Sequence, residues 1–348
     1  MKKNIYTPII ALFLGLSFTA CNKFLDELPD ARTELDTPEK IHELLARAYP
    51  DALYADFCET MSDNAGDKVN LAQSSIFNTQ MYSWQTNNEY STWDTPPHYF
   101  YAAYGAIANA NYALEAVEKL GGGSDLNYLK GEALVARAYA HFMLAYLWCK
   151  PYNEATATTD LGLAYVTEPE KHVFGHYTRI SLKAYYDAIE RDLTQGLPLL
   201  DDSKYKQPRF HFTTAAAHAF ATRFYLMKAQ WDKVIEHADA VLGANAETKL
   251  RNIKTLNAVA LESRSAYYTE STNPSNILVG TARSALAYRF QTHKYSLTLQ
   301  KMAEICSPRN THPLNFSNIS WEAVNSALGD GAGNIVFPKS NYYYKYVN

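Results

Sequence analysis

The chain has 348 residues, with 32 basic against 36 acidic side chains and a formal net charge of −4. This mild acidity disfavours a nucleic-acid partner, because binding phosphates requires a basic surface. The four cysteines show no CxxC spacing, so the sequence predicts neither a disulfide framework nor a cysteine-ligated zinc site. The 27 tyrosines pair an apolar ring with a polar tip, which suits surfaces that contact partners or sugars.

The N-terminus has the pattern of a bacterial lipoprotein signal. Lys2 and Lys3 precede an apolar run from Ile5 to Phe18, and an alanine stands directly before Cys21. The run is too short for a permanent membrane span, and a small residue before a cysteine marks the cleavage point of a lipobox. We therefore expect residues 1–20 to be removed and Cys21 to be lipidated, so that acyl chains anchor the protein. The alternatives are an ordinary secretory signal with an accidental cysteine, and a retained anchor helix.

A tether, residues 21–37, is predicted to precede a single domain over residues 38–348. Thr37 is suited to cap a helix whose first turn contains Pro38. The apolar spacing of this helix continues until Pro50. Residues 61–97 are predicted to form a long loop rich in polar and aromatic side chains, and loops of that length are often functional or disordered.

Helical periodicity dominates the middle of the chain. It predicts helices over residues 101–120, 126–148 and 180–193, and the second is apolar on most of its circumference, so it is expected to pack on several sides. Thr213 to Gly243 match a tetratricopeptide hairpin, in which Trp231 is predicted to pack between the helices. Past residue 245 the helical signal weakens into a mixed, loop-rich region with short strands.

The sequence offers no catalytic or metal-binding signature. His42 and Glu43 begin like the HExxH motif of zinc proteases, but Ala46 stands where the second histidine is needed, so two ligands on one helix face cannot form. The glycine-rich stretch 329–333 lacks the lysine and hydroxyl of a phosphate-binding loop and is predicted to be a turn. The polar stretch 62–67 could bind calcium, although turn capping is the commoner role. No enzyme activity, cofactor or metal is predicted.

The aromatic loop and one later tryptophan supply the candidate ligand-binding residues. A sugar ring has an apolar CH face and a polar hydroxyl edge, so its binding surface needs flat aromatic rings flanked by amides and carboxylates. The alternative is that the tryptophans of the loop simply anchor it to the helices. The candidates for glycan binding are Trp93, Trp84, Tyr90, Asn87, Asn88, Asp94 and Trp321.

Several motifs occur in an order that resembles one protein family. They are Cys21-Asn-Lys-Phe-Leu-Asp, Tyr104-x-x-Ile107-x-x-Ala110-Asn111, Glu132 to Phe142 with Arg137-Ala-Tyr139 inside it, Ile189-Glu-Arg-Asp192-Leu193, and the hairpin Thr213 to Leu242. Together they resemble the SusD/RagB family of outer-membrane nutrient-binding lipoproteins from Bacteroidetes. Members of that family are usually longer, so the resemblance implies a short member, a truncated form or a fragment.

The resemblance implies a mostly α fold, in which tetratricopeptide-like helical hairpins form a scaffold and a loop-rich part binds the ligand. It implies a binding protein rather than an enzyme, lipid-anchored in the outer membrane and facing the cell exterior. Such a protein captures an oligosaccharide or a peptide and hands it to a SusC-like TonB-dependent transporter. The alternative function is a tetratricopeptide scaffold that binds protein partners and no nutrient.

Overall fold

The computed structural model describes residues 34–68, 75–88, 92–170, 175–286, 289, 292–298, 301 and 343–347. The predicted signal segment with Cys21, the candidates Tyr90 and Trp321, and the predicted turn at 329–333 lie outside the described residues. All of the helices and strands given below belong to one compact unit, Asp36–Asn348.

The described part of the chain is mostly helical, which confirms the predicted fold class. Short 3₁₀ turns at residues 124–126, 197–199, 202–204, 208–210 and 246–249 connect or extend the helices. The α-helices are α1 Pro38–Leu45, α2 Ala55–Thr60, α3 Ile76–Tyr82, α4 Pro96–Lys119, α5 Asn127–Trp148, α6 Leu182–Gly196, α7 Thr214–Met227, α8 Trp231–Leu242, α9 Ile253–Ala258 and α10 Leu261–Tyr268.

Four short strands form two antiparallel pairs among the described residues. Strand β1, Ala65–Asp67, pairs with β3, Tyr295–Leu297, in a register that places Gly66 opposite Ser296. Strand β2, Val279–Arg283, pairs with β4, Tyr343–Val347. Both pairs join segments that are far apart in sequence, so neither register could be predicted from local turn chemistry.

Threonine hydroxyls cap α1, α4 and α7, whereas α5 begins without a side-chain cap. Thr37 accepts a hydrogen bond from the Lys40 amide and Thr213 accepts one from the Ala216 amide, so each satisfies a backbone donor of the first helical turn. Helix α4 begins five residues before its predicted start, because Thr95 caps it in the same way. Helix α1 is shorter than predicted and ends at Leu45, well before Pro50.

Helix α5 is the centre of the helical scaffold. Every residue from Gly131 to Ala145 is buried, which confirms the prediction of a helix that is packed on several sides. Helix α6 approaches it closely at a pair of glycines. A Cβ atom added at Gly131 would lie 2.9 Å from the Gly196 carbonyl oxygen, and one added at Gly196 would lie 2.8 Å from the Gly131 oxygen. This contact is therefore possible only without side chains at both positions.

Three of the family-like motifs meet in one buried hydrogen-bond network. The Arg137 guanidinium donates to both carboxylate oxygens of Asp192, at 2.7 and 3.0 Å, and to the Asn111 side-chain oxygen at 2.8 Å. The Tyr165 hydroxyl also donates to Asp192, at 2.6 Å. A bidentate arginine–carboxylate pair with every partner satisfied is the arrangement in which a buried charge is tolerated. The network joins helices α4, α5 and α6.

The hairpin of α7 and α8 forms as predicted, but its packing differs. Tyr225 is buried and its ring stacks on His237 at 5.3 Å between centroids. Trp231 is 60% exposed and none of the residues of α8 is buried, so the prediction that Trp231 packs between the helices is wrong. Apolar residues at helical spacing identify an amphipathic face, but they do not show that another element covers it.

The predicted long loop 61–97 is only partly a loop. It contains β1 and α3, and its last two residues already belong to α4. Helix α3 has Phe77 and Met81 on its buried side, and Ser75 caps its start. The seven-residue helix is too short for its apolar period to stand out in a polar sequence. These two elements give the aromatic segment a fixed framework.

Candidate functional site

A cavity of about 750 Å³ opens between α2, β1, the end of α3 and the segment after β3. We call it the Trp84 cavity. Most of the side chains around it carry hydroxyl, carboxylate or ammonium groups, and Tyr82 and Trp84 supply the rings. Its lining residues are Thr60, Met61, Ser62, Asp63, Ala65, Gly66, Asp67, Tyr82, Trp84, Thr298 and Lys301. The volume lies in the usual range for small-molecule sites, while the lining is more polar than is typical for apolar ligands.

Trp84 is held at the cavity in an unusual backbone conformation. Its φ of 55° lies in the left-handed region, where glycine is the usual residue. The Trp84 backbone amide donates to the backbone carbonyl oxygen of Met81 at 3.1 Å, and the Gln85 backbone amide donates to the carbonyl oxygen of Gln80 at 2.7 Å. These two bonds form a Schellman motif that ends α3, with Trp84 at the position after the C-cap. Its side chain is 72% exposed, so burial does little to compensate the conformational cost.

Tyr82 and the neighbouring strand form an aromatic platform beside Trp84. The Tyr82 ring is 38% exposed and stacks on Tyr295 of β3, with centroids 4.1 Å apart and planes 7° apart. The fully buried Asn78 fixes this arrangement. Its amide nitrogen donates to the Tyr295 oxygen at 2.7 Å, and its side-chain oxygen accepts from the Tyr295 amide at 2.9 Å. Helix α3 is therefore tied to β3 in one register, which keeps the rings in place.

Carboxylates and hydroxyls lie on the β1 side of the cavity. The Ser62 hydroxyl donates to the backbone carbonyl oxygen of Glu59 at 2.8 Å and accepts from the backbone amide of Asn64 at 3.2 Å. The predicted turn-capping role of this stretch is therefore confirmed. Asp63 and Asp67 are both exposed, and Asp67 forms an ion pair with Lys294 at 3.4 Å. The cavity thus offers exposed acceptors next to an exposed indole.

The other predicted binding residues lie in different environments. Asn88 is exposed, whereas Asn87 is almost fully buried and donates to the Gln80 side chain at 2.8 Å. Trp93 is half-buried, with the Arg283 guanidinium 4.9 Å from the centre of its ring, and it does not line the Trp84 cavity. Its assignment to glycan binding stays a prediction.

Asp94 lies in the interior of the protein. Its side chain is fully buried and accepts a hydrogen bond from the Ala285 amide at 2.7 Å. Burial raises the pKa of this carboxyl above its usual value. Asp94 therefore does not offer its carboxylate to a ligand from solvent, contrary to the prediction from sequence.

Several residues of the cavity were missed by sequence reasoning about binding. Thr298 and Lys301 line it and follow β3 in the chain. Asn78 and Tyr295 do not line the cavity, but their hydrogen bond holds α3 against β3. Their positions depend on contacts between segments more than two hundred residues apart. The single available signal was the density of aromatic residues around Trp84, which correctly marked the segment as surface.

Comparison with known proteins identifies the family. The model of the family SusD-like_3, described as "Starch-binding associating with outer membrane", matches residues 23–226. The chain belongs to the SusD-like family. Its members are binding proteins, and the resemblance inferred from the motifs is confirmed. Among curated protein sequences, none matches this SusD-like chain at a significant level.

Solved structures share the fold of this SusD-like protein. A SusD superfamily protein from Bacteroides vulgatus matches with 16% identity and a TM-score of 0.58, over 79% of this chain and 62% of its own. A SusD-like carbohydrate binding protein from Bacteroides vulgatus has 18% identity and a TM-score of 0.54, with coverages of 73% and 53%. A SusD superfamily protein from Bacteroides thetaiotaomicron has 16% identity and a TM-score of 0.54, with coverages of 70% and 52%. The chain thus spans between about half and three fifths of the length of these relatives.

The length and the hydropathy of the described helices bear on whether one of them could span a membrane. Among these residues, no helix combines the length and the apolar character that crossing a bilayer requires.

Proposed function

We propose that this SusD-like protein binds a glycan in the Trp84 cavity. The observation that carries the proposal is the exposed indole of Trp84, fixed in a left-handed conformation at the edge of a polar cavity. A large apolar ring that is left in water at a conformational cost is a sign of a binding role. The same exposure argues against the alternative that Trp84 only anchors its segment to the helices.

The chemistry of the cavity favours a sugar over a purely apolar ligand. The indole of Trp84 and the ring of Tyr82 can cover the CH face of a pyranose, while Asp63 and Asp67 can accept hydrogen bonds from its hydroxyls. The stacked Tyr82 and Tyr295 rings give the site a rigid wall, which lowers the entropy lost on binding. One of the solved relatives is named a carbohydrate binding protein, which supports the same class of ligand.

We further propose that the glycan is passed to a SusC-like TonB-dependent transporter, with the protein anchored to the outer membrane through Cys21. The support is membership of a family that is described as associating with the outer membrane, together with the lipobox pattern before Cys21. Capture of a large barrel transporter by the full-length native protein tests this part. Recovery of soluble periplasmic proteins instead would contradict it.

Glycan binding can be tested with a pair of exposed tryptophans. A glycan array on the purified protein identifies a ligand, and calorimetric titration then compares Trp84→Ala with Trp231→Ala. Trp231 is also exposed but belongs to α8 and does not line the cavity. We expect Trp84→Ala to weaken binding by about ten- to a hundredfold, as loss of an aromatic stacking partner would, and Trp231→Ala to leave it unchanged. Equal affinities of the two variants would refute the assignment.

A second candidate function, a scaffold for a protein partner, is favoured by one surface. Trp231 and Ile235 lie one turn apart on α8 and are each 60% exposed, and Leu226 nearby in sequence is also exposed. Exposed apolar residues that cluster on a helix are typical of protein contacts. In this case Trp231→Ala would abolish capture of the partner while Trp84→Ala would not, so the same two variants separate the functions.

A further inference from the structure

We propose that His42, Glu132 and His211 form a binding site for a divalent transition-metal ion, of which Zn²⁺ fits the ligands best. We call these three residues the His42 cluster. They come from α1, from the buried centre of α5 and from the segment before α7. One possible ligand atom from each residue lies within 4.8 Å of those of the other two. This site is separate from the Trp84 cavity and does not depend on the proposed glycan function.

Hydrogen bonds hold two residues of the His42 cluster, Glu132 and His211, in place. Glu132 Oε1 and His211 Nδ1 share a hydrogen bond of 2.8 Å, and the Tyr49 hydroxyl donates to the same carboxylate oxygen at 2.8 Å. Tyr49 in turn accepts from the Phe212 amide at 2.7 Å. Glu132 and His211 are therefore held next to each other before any ion binds, and an ion would take the place of the hydrogen bond between them.

Two polar atoms of the cluster are buried and have no hydrogen-bond partner. They are Oε2 of Glu132, whose side chain is fully buried, and Nδ1 of His42. Buried polar atoms are normally satisfied, and the second oxygen of Glu132 leaves one side of a buried carboxylate without the hydrogen bond that would offset its desolvation. Both atoms are Lewis bases, so each could serve as a ligand to a cation. The Tyr205 hydroxyl, which interacts electrostatically with Glu132, is likewise buried without a hydrogen bond. The unpartnered carboxylate oxygen is the second observation, beyond the clustering itself, that indicates a ligand.

The ring geometry is compatible with a shared ion. The imidazoles of His42 and His211 have centroids 4.7 Å apart. Two imidazoles that bind one ion at about 2.0–2.1 Å place their ring centres about 4.5–5.2 Å apart when the ligand angle is between about 90° and 109°. The two ring planes are 23° apart in a stacked arrangement, so the imidazoles must rotate to direct one nitrogen each at a shared ion.

The composition of the cluster selects the class of ion. Two imidazoles and one carboxylate form the His₂Glu set that zinc uses in sites with an open fourth position. Ca²⁺ and Mg²⁺ prefer oxygen ligands and larger coordination numbers, so they are disfavoured here. Near His42, Lys206 adds a positive charge and Glu43 a negative charge. An ion at this point would cross-link three segments that are remote in sequence.

The test is a titration of the chelator-treated, purified full chain with Zn²⁺, followed by calorimetry and by the thermal shift of the protein. We expect one equivalent of Zn²⁺ to bind and to raise the melting temperature, because the ion binds the folded state. His42→Ala should weaken this binding at least about tenfold, in line with the loss of a metal-orienting group. His42 makes ring contacts with Tyr205 and His211 but its Nδ1 has no hydrogen bond, so this variant is expected to fold.

A matched control comes from the other histidine pair of the chain. His218 and His237, on α7 and α8, lie with their Nδ1 atoms 2.8 Å apart and could also bind the metal. His218→Ala should leave the high-affinity binding intact. Loss of binding in His218→Ala with retention in His42→Ala would overturn the proposal, as would absence of micromolar Zn²⁺ binding to the unmodified protein.

The isosteric variant Glu132→Gln provides a second test that does not depend on His42→Ala. It keeps the size of the side chain and an oxygen for the Tyr49 hydrogen bond but removes the carboxylate. Crystals soaked in Zn²⁺ locate the ion directly by its anomalous scattering. An ion between His42, Glu132 and His211 supports the proposal, and an ion bound only elsewhere refutes it.

Discussion

Trp84 permits a test in which stability and binding change independently. About a quarter of its side chain is buried, since 72% is exposed. A tryptophan buries up to about 250 Å², so roughly 70 Å² of buried surface is lost on truncation, worth about 1.7 kcal/mol at most. Trp84→Ala should therefore lower the free energy of unfolding by about 1–1.5 kcal/mol. Alanine remains in the same left-handed conformation, so the backbone cost is unchanged.

Trp84→Gly removes the same ring but also relieves the backbone. The left-handed conformation costs a residue with a Cβ atom about 1–2 kcal/mol, and the extra freedom of glycine in the unfolded chain offsets roughly 0.5–1 kcal/mol of that gain. We therefore expect Trp84→Gly to be more stable than Trp84→Ala by about 0.5–1 kcal/mol. Both variants should lose glycan affinity to the same extent.

Urea unfolding of the two variants and the unmodified protein measures the stability difference, and calorimetry with a glycan found on the array measures the affinity. Trp231→Ala serves as the control for loss of an exposed tryptophan outside the cavity. If the glycine variant is no more stable than the alanine variant, the Schellman assignment of Trp84 is wrong. If both variants bind the glycan normally, Trp84 does not contact it.

Three further predictions concern the anchor, the core and the pH dependence. Cys21→Ala should release the protein from the membrane fraction without a change in melting temperature, and retention of this variant after signal cleavage would contradict the lipoprotein prediction. Arg137→Met should lower the free energy of unfolding by about 3–5 kcal/mol, because Asp192 stays buried without its partner. The double variant with Asp192→Leu should recover most of this loss in urea unfolding, and a loss below about 1 kcal/mol in the single variant would refute the argument. Burial lowers the pKa of His141 from 6.5 to about 3, so the stability contributed by its neutral form is complete above pH 6.5 and is lost as the pH falls. The stability of the unmodified protein relative to His141→Gln, measured by urea unfolding, should fall by about 1.2 kcal/mol between pH 6 and pH 5, and an unchanged difference would refute the argument.

The local sequence was sufficient to predict most of the helices of the scaffold. The cap at Thr37 was predicted because a hydroxyl before an apolar period satisfies the first free amides of a helix, and the structure confirms it. The burial of α5 was predicted from its continuous apolar surface. The motif residues Asn111, Arg137 and Asp192 identified the family, although their convergence in one network became visible only in the structure.

The candidate site was predicted only in part. Aromatic density pointed to the segment that contains Trp84, but it could not distinguish this exposed ring from Trp93, which lies against Arg283. Nor could it show that Asp94 is buried. Burial depends on which distant segment packs against a residue, and the pairing of α3 with β3 is set by contacts such as Asn78 with Tyr295. The burial of Trp231 was mispredicted for the same reason, because periodicity identifies the apolar face of a helix but not whether another element packs against it.

The sequence by itself determined what depends on neighbouring residues: the helix caps, the helical periods, the lipobox pattern and the order of the family motifs. Only the tertiary structure decided which polar groups meet. His42 has no second ligand on its own helix because Ala46 occupies that position, so the local zinc motif is absent. Folding nevertheless brings Glu132 and His211 to it from two other segments. A metal site requires donors that are close in space, and closeness along the chain guarantees this only within a single helix or turn.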